Sequence, residues 1–296
     1  SYYDYDGSTY VELFYISSGT TLETQKEKFN EALNNFVNNA TMYSSEYERE
    51  KYVNDYIISN CVYDDEAAYN NNTKGNVSTA YGVLVDGKAI CEGYARAFQL
   101  LCNKLGIECV SIAGMTDDVG HEWNCAKIDG NWYQVDVTWN DSQDDFSNYY
   151  YFNLTDEQMY SSHRADDLFD EIEPDNYNND ENLIGNLYVP ECNSTEYNYY
   201  NQTAPILYAF DEENDNTISN ALANSAVNGD NYFNIIVDDS LDFEDAYSTL
   251  VQDGYVVNYI ESANNMLWGE VELDTSSYAY KNDTLRVITI VLNYIN

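Results

Sequence analysis

The chain has 296 residues, with 12 Lys and Arg against 52 Asp and Glu and a formal net charge of −40. That imbalance excludes nucleic acid as a partner, because phosphate binding needs a basic footprint. It keeps the protein soluble and draws cationic partners instead, lysine-rich peptides among them. Hydrophobic residues make up 44% of the chain, enough to bury a core, so disorder is not the expectation. No apolar run approaches the ~20 residues of a membrane span.

The length predicts more than one domain, since domains mostly run to ~100–200 residues. The 31 tyrosines are too many for the core alone, and abundant Tyr and Asn with little Lys suits a secreted or cell-surface protein. Ser1 reads as a trimmed start, so the missing signal peptide says nothing about export. The six cysteines are Cys61, Cys91, Cys102, Cys109, Cys125 and Cys192. None forms a Cys-x-x-Cys pair and zinc-type Cys/His spacing is missing, so no metal is expected. Buried thiols are the expected state for most of them, with Cys102 and Cys109 near enough in sequence to meet.

Residues 1–8 are polar. Tyr10–Ile16 predicts a strand. Residues 21–40 predict a helix with Phe29, Ala32, Leu33, Phe36 and Val37 on one face. A second helix is expected over 44–60, with Tyr52, Val53, Tyr56 and Ile57 inward. Residues 70–76 are a loop. Asp86-Gly87 is a turn, after which Cys91, Tyr94, Phe98, Leu101, Cys102 and Leu105 recur at helical spacing up to a C-terminal Gly106. Cys91 therefore starts a helix and faces inward, where the positive end of the helix dipole favours a thiolate. A small buried core residue is the other reading of that cysteine. Gly93, Ala95 and Ala97 keep the adjoining face small enough for another backbone to approach.

A strand over 109–113 and a loop over 114–120 lead to His121-Glu122-Trp123-Asn124. Asp129-Gly130 is a hairpin turn, and the return strand is predicted over 131–139. With a two-residue loop, Ile128 pairs with Asn131 and His121 lies opposite Thr138. Asp136, two residues away on the same face, is then a diagonal neighbour of His121. A one-residue slip would separate them. Tyr149–Leu154 is a further candidate strand, and 170–186 is Asp/Asn-rich.

From about residue 203 the pattern changes. Strands are predicted at 205–210, 233–237, 255–260, 267–273 and 285–293, and helices at 217–227 and 241–252. This unit carries no Cys or His. Asp211, Glu213 and Asp215 have the alternation that opens a calcium loop, but Leu222 stands at its twelfth position and Asn216 where glycine is usual, so calcium is not expected.

A thiol at a helix start, a histidine at a strand start and an aspartate on the paired strand make an activated nucleophile. The imidazole takes the thiol proton, and the carboxylate holds the imidazole. The thiolate attacks a carboxamide to give a thioester, which an amine or water resolves. The Cys91 N–H is one natural donor to the oxyanion. This chemistry needs no cofactor.

The segments Tyr81–Ala95, His121–Asn124 and Trp132–Trp139, in that order, strongly resemble the transglutaminase-like superfamily, most closely its bacterial secreted, cytokinesis-protein-like branch. The resemblance spans about residues 45–165. It implies an α+β fold with a papain-like transglutaminase core, in which a helix-start cysteine packs on an antiparallel sheet carrying His and Asp. It also implies Cys91, His121 and Asp136 as the triad, and makes Tyr81 the candidate oxyanion donor, because no Trp precedes Trp123. Trp123 and Trp139 are candidate walls of the cleft. His163 falls outside the triad and reads as structural. The expected domains are an N-terminal strand segment (1–20), the catalytic domain (21–170), a linker or long loop (171–202) and a C-terminal α+β accessory domain (203–296). Acyl transfer on peptide-linked carboxamides is the leading function. Peptide-bond or amide hydrolysis, and a catalytically silent secreted binding or adhesion protein, remain alternatives.

Overall fold

The computed structural model describes residues 2–5, 8–11, 17–70, 74–142, 144–165, 189–269 and 271–295. Strands β1 (Tyr2–Tyr5) and β2 (Ser8–Val11) pair antiparallel. Residues 12–16 of the expected first strand, and 170–186, lie outside the described residues.

Two helices follow, α1 (Gly19–Ala40) and α2 (Glu46–Asn60). A reciprocal capping box starts α2: Ser45 Oγ accepts from the Glu48 N–H, and the Glu48 carboxylate accepts from the Ser45 N–H, both at 3.1 Å. Such a cap is worth ~1 kcal/mol. Strand β3 (Val62–Tyr63) and the short helix α3 (Asp65–Tyr69) come next. A π-helical turn, Gly82–Asp86, then leads into β4 (Lys88–Ala89), which runs parallel to β3.

Helix α4 (Cys91–Lys104) is the central element. Its Tyr94, Phe98, Leu101 and Cys102 are buried and meet Phe36, Val53 and Ile57 from the first two helices. Gly106 ends the helix in the left-handed region at φ 83°, and the Ile107 N–H closes back on the Cys102 carbonyl at 3.0 Å. The small-residue face does what its size permits. A Cβ on Gly93 would stand 2.5 Å from the Val77 carbonyl oxygen and 2.8 Å from the Ala89 Cβ.

On the other side of α4 lies an antiparallel sheet of β5 (Cys109–Thr116), β6 (Val119–Ile128), β7 (Asn131–Val135) and β8 (His163–Ala165), in the order β7-β6-β5-β8. Residues 114–120 are not a loop: Thr116 pairs with Val119 in a tight hairpin. Asp117 supplies the turn by adopting φ 51°, a left-handed conformation that Asp tolerates better than most residues. The second hairpin has the predicted register, Ile128 opposite Asn131 and Asn124 opposite Val135. Its return strand stops at Val135, before the predicted 139, because Asp136 turns its N–H to the Tyr151 carbonyl (2.9 Å) and caps α5 (Val137–Asn140). Tyr149–Leu154 is irregular and touches the sheet through one bridge, Leu154 to Gln134.

Helix α6 (Asp156–Met159) precedes β8, and α7 (Tyr199–Thr203) precedes the C-terminal part. Residues 189–202, the described half of the expected linker, pack on this body. Tyr200 is buried, and Cys192 lies 3.8 Å from the Cys125 thiol on β6. All six cysteines are free thiols, five buried and Cys91 partly exposed.

The C-terminal part has a separate sheet in the order β11-β12-β10-β9, built from β9 (Ile206–Leu207), β10 (Tyr232–Val237), β11 (Ala279–Asn282) and β12 (Val287–Val291). Against it lie α8 (Glu212–Asn228), α9 (Phe243–Tyr247) and α10 (Val256–Leu267). The predicted strand 255–260 is the start of α10. Its β-branched run reads as a strand locally, but the buried set Val256, Tyr259, Ile260, Ala263 and Leu267 has the helical period. The described residues of 267–273 are also not a strand beyond a lone bridge at Leu273. Asp211 caps α8 through the Asn214 N–H, and Glu213 and Asp215 lie inside that helix. A third apolar cluster joins the two bodies: Ile112, Trp123, Cys125 and Leu154 meet Leu285 and Val287. Among the described residues no helix is long and apolar enough to cross a membrane.

Candidate active site

Cys91 is the first residue of α4 and His121 lies near the start of β6. Their approach is fixed from inside the layer between them. Asn124, fully buried on β6, donates from its amide to the Ala95 carbonyl of α4 at 3.1 Å. This bond stitches the helix to the strand one turn from Cys91. The Cys91 thiol lies near enough to the His121 ring to help raise the imidazole pKa. His121 Nε2 donates to Asp136 Oδ2 at 2.6 Å, which leaves Nδ1 for the thiol.

Asp136 is completely buried. Its Oδ1 accepts from the N–H groups of Thr138 (2.9 Å) and Trp139 (3.2 Å), as the cap of α5. Its Oδ2 accepts from His121 and also from His163 Nε2 at 3.0 Å. The two residues come together although β7 ends before Asp136. The register sets the neighbourhood, and the cap of α5 sets the aim of the carboxylate.

The electrostatics follow from these contacts. Burial works against a charged imidazole at His121, but the Asp136 carboxylate, with the Cys91 thiol behind it, outweighs burial and raises the pKa to about 10. Burial likewise opposes ionisation of Asp136, but His121 and His163 hold its carboxyl down at about 2. The pair is therefore a carboxylate and an imidazolium at neutral pH.

His163 is the residue that sequence reasoning left outside the site. It is completely buried on β8, its Nδ1 bonds the Ser162 hydroxyl (2.9 Å), and its ring lies 5.5 Å from that of His121. The pairing of β8 with β5 brings it in, and a three-residue strand 27 positions after Asp136 leaves no local signal. His121, Asp136 and His163 are also the chemical types that bind metal. Their mutual distances of 2.6 and 3.0 Å are those of direct hydrogen bonds.

The two tryptophans differ. Trp123 is 1% exposed, lies under His121 with ring centres 6.1 Å apart, and donates its N–H to Gln134 Oε1 at 2.7 Å. It supports the imidazole from below and does not wall an open cleft. Gly114 makes room for it, since a Cβ there would stand 2.6 Å from the Trp123 ring and 2.2 Å from the Arg164 carbonyl oxygen. Trp139 is partly exposed and packs beside both His121 (5.8 Å) and His163 (4.6 Å).

Tyr81 is the expected oxyanion donor. It stacks on Phe29 of α1 at 6.1 Å, at the start of the π-helical turn. Burial, with the Cys91 thiol next in effect, pushes the pKa of Tyr63 up to about 12.

Helix-start thiol, antiparallel sheet and buried His–Asp pair define a papain-like α+β core. Residues 34–137 match the family model of the transglutaminase-like superfamily. Two curated relatives are the kyphoscoliosis peptidase of Mus musculus (28% identical over 175 residues, 55% of this chain and 26% of the relative) and that of Homo sapiens (27% over 146 residues, 45% and 22%). The matched region thus spans about a quarter of the length of these relatives. A solved structure described as a TGase is 20% identical, with a TM-score of 0.35, over 43% of this chain and 35% of that one.

Proposed function

We propose that the protein is a cysteine-dependent acyl-transfer enzyme acting on peptide-linked carboxamides. Cys91 is the nucleophile, His121 the proton carrier, and Asp136 the group that orients and charges His121. The observation that carries this reading is the thiol of the first α4 residue beside an imidazole whose other nitrogen is held by a buried carboxylate at 2.6 Å. With the thiol proton carried on His121, the Cys91 sulfur forms a bond to the carboxamide carbon, and the C=O π pair moves to oxygen. The tetrahedral species collapses by breaking the C–N bond, and His121 delivers its proton to the departing amine. The resulting thioester passes its acyl group to a primary amine or to water, with His121 taking the proton of the incoming nucleophile.

The second reading is hydrolysis, in which water resolves the thioester. The name of the two curated relatives, peptidase, favours it. The negative field of the chain favours transfer, because it concentrates lysine amines near the site. A glutamine peptide incubated with a labelled primary amine separates the readings. Incorporation that vanishes in Cys91→Ala supports transfer. Ammonia or cleaved peptide without incorporation supports hydrolysis. Turnover of no amide, with Cys91 still alkylated by iodoacetamide, would leave a binding protein that retains the fold.

A further inference from the structure

We propose that His163 is a positioning residue of the acyl-transfer site: its Nε2–H, bonded to the Asp136 oxygen that also binds His121, fixes the aim of that carboxylate and draws off part of its charge, so that His121 can release the proton it takes from Cys91. The assignment rests on the acyl-transfer reading of the Cys91 site. Two imidazoles on one carboxylate oxygen are more than a Cys-His-Asp triad needs. Asp136 Oδ2 accepts from His121 Nε2 at 2.6 Å and from His163 Nε2 at 3.0 Å, while Oδ1 accepts from the Thr138 and Trp139 N–H groups at 2.9 and 3.2 Å. A carboxylate offers about four acceptor sites, and here each is taken. The donors stand on α5, β6 and β8, so the carboxylate cannot turn without breaking a bond to one of these elements.

The surroundings of His163 fix which of its nitrogens donates. An ionised carboxylate only accepts, so Nε2 carries the proton. Nδ1 is then the acceptor, and the Ser162 hydroxyl, 2.9 Å away, donates to it. The other acceptor within reach of that hydroxyl, the Met159 carbonyl, is farther at 3.4 Å. The ring is packed among Trp123 (5.1 Å, edge-on), Trp139 (4.6 Å) and Tyr151 (5.6 Å). The titratable groups that face it are Asp136 from the cap of α5, His121 from β6 and Tyr151. From β5 its partner is Thr116, which does not titrate, and the next residue of β8, Arg164, is exposed. A donor on the carboxylate stabilises charge that would otherwise be answered by the imidazolium alone. His121 therefore holds its proton less tightly than it would beside an unshared carboxylate, which suits a group that must pass that proton to the departing amine.

The chain has two histidines, so the intact protein labelled with ¹⁵N in histidine shows two ring systems by NMR, and each reports its tautomer and charge without substrate. At neutral pH the expected wild-type spectrum has His163 protonated on Nε2 alone and His121 protonated on both nitrogens. His163→Phe keeps a ring and removes the donor, whereas His163→Gln places an amide N–H near the position of Nε2. In His163→Phe the His121 ring should titrate about half a pH unit or more above wild type, and turnover of a glutamine peptide should fall about tenfold or more. His163→Gln should bring the His121 titration back towards wild type and restore part of the turnover. A His163 protonated on Nδ1 alone would overturn the proposal, because Nε2 could not then donate. So would an unchanged or lowered His121 titration in His163→Phe, or equal shifts in the Phe and Gln variants, which would mean that the ring only fills space. If Phe perturbs folding, His163→Leu, smaller and equally without a donor, should give the same upward shift, and its absence rejects the role. Wild-type turnover without the shift rejects His163 alone. The shift without any wild-type amide turnover rejects the acyl-transfer reading and leaves His163 a structural bond of a binding protein.

Discussion

At the scale of single residues, Asp136 does most for its size. One carboxylate caps α5, orients His121 and binds His163. Asp136→Asn keeps the size, removes the charge and inverts the hydrogen-bonding sense at one atom. Turnover should fall by about 10²–10⁴-fold, as when an orienting carboxylate is lost from a related triad, and the remaining activity should be readable in kcat. The pH dependence follows from the same contacts. His121 is raised above its ordinary ~6.5 to about 10. Its contribution to stability is therefore complete below about pH 6.5 and is lost as pH rises through 10. Asp136 is depressed to about 2. Its contribution is complete above about pH 4 and is lost as pH falls towards 2. Thermal melts of the wild type should lose stability at both ends, and Asp136→Asn should flatten both slopes. Identical slopes in wild type and variant would contradict the pairing. Cys91, His121 and Asp136 were legible because each belongs to a local pattern: a helix start, a strand start, a hairpin register. His163 was not, because it reaches the site by the pairing of strands distant in sequence, β8 on β5.

At the scale of elements, β5 and its neighbours pack around Trp123 only because a glycine stands where they crowd. Gly114→Ala would drive a Cβ into the Arg164 carbonyl oxygen at 2.2 Å and the Trp123 ring at 2.6 Å. Overpacking of this kind costs about 1–3 kcal/mol. Because the clash falls on the support of His121, Trp fluorescence and turnover should change together with stability. A neutral melt with unchanged turnover would refute the account of Gly114. Helix α2 carries a second testable feature. Glu50 is completely buried, accepts from Asn153 at 2.7 Å, and is pushed by burial up to about 8. Its contribution to stability is full below ~4.3, the ordinary glutamate value, and is lost as pH rises through 8. Glu50→Gln should therefore gain stability relative to wild type between about pH 5 and 8 and level off above. A difference independent of pH would contradict the burial of an ionisable carboxyl there. The hairpin at Asp129-Gly130 was legible from its turn residues alone. The one at Asp117 was not, since it depends on a non-glycine residue taking a positive φ, and α10 was hidden by a β-branched start.

At the scale of the molecule, two sheets share an apolar cluster in which Leu285 and Val287 from the C-terminal part meet Ile112, Trp123 and Cys125. Leu285→Ala, a buried deletion costing about 2–5 kcal/mol, should therefore be felt at Trp123, visible as a fluorescence shift. A silent Trp123 would mean that the bodies are energetically independent. This joint could not be read from the sequence, which shows where each pattern changes but not which faces meet. The charge was plain from composition. If it concentrates amines, raising ionic strength from ~0.1 to ~1 M, which shortens the Debye length from ~10 to ~3 Å, should raise KM several-fold for a lysine acceptor but not for a neutral nucleophile. Equal effects on both would remove the field from the account. The most direct test of the central claim is peptide mapping by mass spectrometry of protein quenched in acid during reaction with a glutamine peptide. The account predicts a mass increment equal to the peptide less ammonia on Cys91, sensitive to hydroxylamine and absent from His121→Ala at early times. An unmodified Cys91 during ongoing amide turnover, or the same adduct on another residue in Cys91→Ala, would contradict it.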